Sequence, residues 1–120
     1  MKTVIIKLKE DEIIYSQKVP VNCIININSS FVDISNHLHK DDLGALVQFE
    51  HNKTISILNL TDVTPYILLF FDNELCFNGA SYSLNKERAS YMLQTEYKTI
   101  LFIKYPNNLR LNNIEKLSYE

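Results

Sequence analysis

The sequence contains no tryptophan and only two glycines, three prolines and two cysteines. Each scarcity excludes something. Gly44 and Gly79 are too far apart in the chain to build a glycine-rich phosphate loop. Two cysteines, Cys23 and Cys76, cannot supply a paired Cys-x-x-Cys metal motif, and both lie inside apolar runs. They are expected to be buried, reduced thiols that pack as small hydrophobes. Neither sign of charge dominates: 12 basic residues stand against 14 acidic ones, for a net charge of -2. A general polyanion-binding role therefore has no electrostatic footprint, and basic residues do not cluster along the chain. The longest apolar run, Tyr66 to Phe71, is far short of the roughly 20 residues of a membrane-spanning helix. The first apolar run, Val4-Ile5-Ile6, stops at Lys7, whereas a signal-peptide core needs about 7–15 apolar residues. The expectation is a cytoplasmic protein, or a mature form whose signal has been removed, with no nucleic-acid and no membrane partner.

What remains is the composition of an ordinary globular domain, 46% hydrophobic and 22% charged. A chain of 120 residues fits a single domain, within the usual roughly 100–150. With glycine scarce, asparagine takes over turn positions, because its side chain tolerates the left-handed region and bonds locally to the backbone. Asn26–Asn28, Asn107–Asn108 and Asn112–Asn113 therefore mark turns or element ends. Three Asn-x-Ser/Thr sequons, at Asn28, Asn52 and Asn59, are about what a chain this rich in Asn, Ser and Thr yields by chance.

The apolar pattern is mostly of strand type. Val4, Ile6 and Leu8 alternate with Thr3, Lys7 and Lys9, and the polar Glu10-Asp11-Glu12 leads into a hairpin partner at Ile13, Tyr15 and Gln17. Residues 21–27 are rich in β-branched side chains and read as a third strand. Phe31, Ile34 and Leu38 are helically spaced behind Ser29 and Ser30, which predicts a short helix over 31–40. Residues 45–49 and 54–58 read as a hairpin closed by Glu50-His51-Asn52-Lys53. The unbroken run 66–71 predicts a strand covered on both faces. Residues 72–74 read as a tight turn, and residues 98–104 form another apolar strand. Residues 83–93 suit either an amphipathic helix or an ordered extended loop. Leu109, Leu111, Ile114 and Leu117 suit either a strand and turn or a last short helix.

The expected fold class is α+β, mainly β: one compact domain of eight to nine strands with one or two short helices. The strands would form a mostly antiparallel sheet or a small barrel. Its core draws on Val4, Ile6, Ile25, Phe49, Ile57, Leu68, Phe70, Phe77, Leu101 and Ile103.

Candidate chemistry is sparse. His37 and His39, followed by Asp41 and Asp42, are the densest set of metal-competent groups. On a strand the two imidazoles would share a face; at a helix end they diverge, so no metal is assigned. His51 beside Glu50 lies in the expected hairpin loop. No serine stands in a Gly-x-Ser-x-Gly context, and no catalytic residue is assigned. The candidate binding residues are His37, His39, His51, Asn59 and Asp62, which would line a pocket near residues 37–62. The favoured reading is a non-catalytic binding or protein-interaction module with no cofactor, engaging a protein partner or forming a homo-oligomer. The alternative is a small ligand-binding or metal-dependent enzyme-like barrel. Phe70, Phe71, Phe77 and Phe102 are expected in the core. Tyr82, Tyr91, Tyr97, Tyr105 and Tyr119 are candidates for a partner-binding patch if they share one face.

Asp41-Asp42-Leu43-Gly44-Ala45-Leu46-Val47-Gln48-Phe49 resembles the acidic-turn, glycine and apolar-strand block of the domain of unknown function 192 family. Asn59, Pro65 and Asp72 match that family's later punctuation, and the resemblance extends over residues 36–104. Ser56 stands where the family carries tryptophan and Ile67 where it carries aspartate, and two extra residues lie between Asn59 and Pro65. The resemblance implies a compact, mainly β domain with a minor helix. It carries no established activity.

Overall fold

The computed structural model describes residues 2–38, 42–50, 55–61, 66–83, 90–104 and 108–119. These form eleven strands in three hydrogen-bonded sheets. The strands are β1 (Lys2–Glu10), β2 (Ile13–Val21), β3 (Cys23–Ile27), β4 (Phe31–Asp33), β5 (Gly44–Phe49) and β6 (Ser56–Thr61). They continue with β7 (Tyr66–Phe71), β8 (Phe77–Ser83), β9 (Ser90–Thr95), β10 (Thr99–Lys104) and β11 (Ile114–Tyr119). The sheets run β11-β1-β2, β3-β5-β10-β7-β8 and β4-β6-β9. Pairing is mostly antiparallel, with β3–β5 and β4–β6 parallel. Among the described residues the sheets do not close into a barrel.

The five-stranded sheet lies between two cores, which explains why its strands are apolar throughout. Ala45, Val47, Phe49, Leu68, Phe70 and Phe102 pack with Val32 and Leu58 of the β4-β6-β9 sheet. The alternate residues Leu46, Ile67, Leu69, Phe71, Leu101 and Ile103 pack with Val4, Ile6, Leu8, Val19 and Leu117 of the β11-β1-β2 sheet. All six residues of β7 are buried, as the unbroken run predicts. At about 1.5–3 kcal/mol for each large apolar side chain buried, this one strand is a major contributor to the fold. Most of the expected core is buried; Phe77 is only half-buried, and the side chain of Ile57 lies outside the description.

Hairpin β1–β2 forms as expected, closed by Asp11-Glu12 with Asp11 at φ 55 in the first turn position. Such a two-residue turn closes on a hydrogen-bonded pair, here Glu10 with Ile13. That fixes the phase of β2: the N–H groups of Ile14, Ser16 and Lys18 face away from β1. Pro20, opposite Thr3, falls in the same phase, so its missing N–H costs the ladder nothing. The expected turn at residues 72–74 is organised by Asp72, whose Oδ1 accepts from the N–H groups of Glu74 and Cys76, each at 2.9 Å.

Several expectations are corrected. Of the helix expected over 31–40, residues 31–38 are instead β4, a single 3-10 turn at Ile34–Asn36 and a two-residue continuation, while residues 39–40 lie outside the described residues. Val32, Ile34 and Leu38 are all buried, and the β4 backbone bonds to β6. Strands β5 and β6 do not form a hairpin: β5 lies between β3 and β10, whereas β6 lies between β4 and β9. Within residues 83–93, Ser83 ends β8 and residues 90–93 begin β9; residues 84–89 lie outside the described residues. The last apolar group forms a 3-10 turn, Leu111–Asn113, and then β11. Among the described residues the only helical elements are these two three-residue 3-10 turns, so the α component of the expected class is absent there. Both cysteines are free and half-buried rather than fully buried.

Candidate functional site

The expected site is not assembled among the described residues. His37 is exposed, just after the first 3-10 turn, with its N–H donating to the Ile34 carbonyl at 3.0 Å. Asn59 sits on β6 opposite Asp33 and Met92, and its side chain is outside the description. His39, His51 and Asp62 lie outside the described residues altogether. Tyr97, one of the candidate patch tyrosines, packs on the Phe70 ring at 5.7 Å between centroids and belongs to the core margin. The side chains of Tyr82, Tyr91, Tyr105 and Tyr119 lie outside the description.

The Cys23 thiol donates to the backbone carbonyl of His37 at 3.9 Å. Burial pushes its pKa up, the nearby Asp42 raises it further, and Lys2 opposes them. A thiol held protonated in this way is a poor nucleophile. Among the described residues, no three of His, Cys, Asp and Glu gather where a metal ion would be held.

The densest polar arrangement is structural. The Asn22 Oδ1 accepts from the N–H groups of Leu43 at 2.6 Å and Gly44 at 3.4 Å. The Asn22 N–H donates to the Gly44 carbonyl, and the Lys104 N–H to the Leu43 carbonyl, both at 2.8 Å. The buried Tyr66 hydroxyl donates to the Asp42 carbonyl at 3.0 Å. Burial pushes the Tyr66 pKa up to about 12, with Asp42 and then Cys23 adding to the shift. These bonds hold Leu43 in place with 38% of its surface exposed.

Leu43 stands on the rim of a groove of about 330 Å³ beside β2. The groove's floor is apolar, made by the buried Val19, Ile103 and Leu109. Pro20 continues its rim, and the ammonium-bearing chains of Lys18 and Lys104 flank it. At one end the Gln17 amide donates to Asn108 Oδ1 at 3.1 Å, which fixes both amides. An apolar floor with a few placed polar groups is the usual make-up of a recognition pocket. Sequence reasoning missed it because its parts come from β2, the 42–44 segment, β10 and the 108–109 segment. Only Leu43 falls within the expected 37–62 region. A second hollow, of about 430 Å³, is wider and more polar, with Asn26, Gln48, Glu50 and Lys98 around it.

Comparison with known proteins found no matching family. It likewise found no matching curated protein and no matching solved structure. Two residues that carry the resemblance to the domain of unknown function 192 family have structural duties here. Gly44 allows β10 to approach β5, and Asp72 builds the turn before β8.

Proposed function

We propose that this chain is a non-catalytic binding module that engages a protein partner through the groove beside β2. The observation that carries the reading is the groove itself: an apolar floor, an exposed leucine on its rim and two flanking lysines. Its rim is held by the bonds from Asn22 and Lys104, so little ordering remains for binding to supply. Among the described residues no nucleophile–base pair lines it: Gln17 and Asn108 can hydrogen-bond and Lys18 and Lys104 attract carboxylates, which is recognition chemistry.

The test is Leu43→Gln, which keeps the size of the side chain and removes its apolar contact. Immobilised wild-type protein is expected to retain a partner from extract of the native host, and the variant to lose it. Equal retention by both proteins would refute the groove as the site. A small molecule that co-purifies in native mass spectrometry, and is lost from the variant, would replace the protein partner with a small ligand.

A further inference from the structure

Alternation along β1 sends Val4, Ile6 and Leu8 into the core, so Thr3, Ile5, Lys7 and Lys9 line the opposite face of the β11-β1-β2 sheet. The register extends that face sideways. Lys7 lies directly opposite Lys116 on β11 and Ser16 on β2, Ile5 lies opposite Lys18, and Lys9 lies opposite Ile14. All four lysines are exposed. Lys7 therefore has Lys116 beside it, Lys9 two positions along its own strand and Lys18 on the diagonal. Directly opposed side chains on a sheet have Cβ atoms about 4.5–5.5 Å apart, diagonal neighbours about 7–8 Å, and like charges so placed destabilise the sheet. No acidic residue holds a register position on this face. Glu10 is engaged by Arg110 at 3.3 Å, and Glu115, exposed in the bulge beside Lys116, is the single carboxylate among the described residues that borders the four lysines on β11.

We propose that this face is the docking surface for a short acidic segment of a protein partner. It goes beyond the groove and adjoins it at Lys18, which belongs to both. The charge distribution selects the occupant. Four of the 12 basic residues stand on this face with Glu115 at its edge, which leaves eight basic against 13 acidic residues elsewhere. Asp11 and Glu12 close the adjoining hairpin end. A long polyanion or an anionic membrane would reach past the lysines and meet that excess of negative charge. No aromatic residue stands at a register position on the face, so bases have nothing on which to stack. The lysine patch measures roughly 10 Å across the three strands, at about 4.8 Å per strand, and roughly 14 Å along them, two same-face repeats of about 6.8 Å. A short extended segment with a carboxylate at every second residue has that same repeat, and so matches the Lys7–Lys9 spacing.

The probe is a labelled peptide of about eight residues alternating Glu and Ser, titrated by fluorescence anisotropy at low ionic strength. Peptide binding is expected, weakening with salt, with amide shift changes confined to β1, β2 and β11. Lys7→Gln with Lys116→Gln should weaken it about tenfold, the effect of removing two exposed charge pairs. The same double variant should be slightly more stable than the wild type at low salt, because an opposed like-charge pair is gone. Leu43→Gln should leave peptide binding unchanged, so failure of the groove reading and failure of this one are distinguishable. Absence of binding, binding indifferent to the double substitution, or loss of stability in that variant would overturn the proposal. Tighter binding of a short oligothymidylate or of phosphatidylserine vesicles than of the peptide would overturn it too.

Discussion

Replacing Gly44 with alanine tests how closely the central strands approach one another. A Cβ at Gly44 would lie 2.0 Å from the Phe102 carbonyl oxygen, 3.1 Å from its carbonyl carbon and 3.4 Å from the Ile103 Cα. All three are backbone atoms of β10, so no side-chain rotation relieves the clash. The strands must separate by more than 1 Å at this end to restore ordinary contact, and hydrogen bonds of about 2.7–3.2 Å do not survive that. The pairing of Gly44 with Ile103 and the 2.8 Å bond from the Lys104 N–H to the Leu43 carbonyl are the ones at risk. Breaking two or three bonds among buried groups, at about 1–2 kcal/mol each, gives about 2–6 kcal/mol. That is a large share of the roughly 5–15 kcal/mol typical of a domain. Urea denaturation followed by far-ultraviolet circular dichroism should show the midpoint fall with an unchanged slope. A change under about 0.5 kcal/mol would refute the close approach described for β5 and β10.

Gly79→Ala should destabilise by a different route, about 1–3 kcal/mol of backbone strain, because Gly79 has φ +126 while the space around it is open. The same urea melt measures it, and a neutral result would exclude that backbone conformation. The phase of β2 predicts that Ser16→Pro is tolerated whereas Gln17→Pro costs about 3 kcal/mol or more, since only the second removes an N–H bonded to β1. Equal costs for the two prolines would mean the phase is wrong. Tyr66 titrates near 10 when exposed and near 12 in the fold, so its contribution is intact below pH 10 and lost as pH climbs from about 10 to about 12. The slope reaches about 1.4 kcal/mol per pH unit, and Tyr66→Phe should flatten it in alkaline melts.

The parts of the fold that the sequence announces are those set by local pattern. An unbroken apolar run placed β7 under cover on both faces, and a period of two with an acidic turn placed the β1–β2 hairpin. Pairing between distant strands had no such signal. Strands β5 and β6 are near in sequence and resemble a hairpin, but each finds partners far along the chain. The 31–40 segment misled because Phe31, Ile34 and Leu38 keep helical spacing, whereas the buried Val32 reveals extended backbone. The groove draws on four separated segments and was not legible. The lysine face was half legible. Lys7 and Lys9 alternate with core residues in plain view, but Lys116 joins them only through the register with β11, so basic residues scattered along the chain become a cluster in the fold.

The pairing of β1 with β11, which sets Val4 opposite Tyr119, also bears on how the chain emerges from the ribosome. The β1–β2 hairpin is synthesised well before β11 and must wait for it before the β11-β1-β2 sheet is complete. Until then the inner faces of Val4, Ile6 and Leu8 lack Leu117 and Ile114, with which they share a core. A nascent chain stalled before β11 should thus expose apolar surface and attract chaperones. Loop closures of this length make refolding slow, on the millisecond-to-second scale of β-rich domains rather than the microseconds of helical bundles.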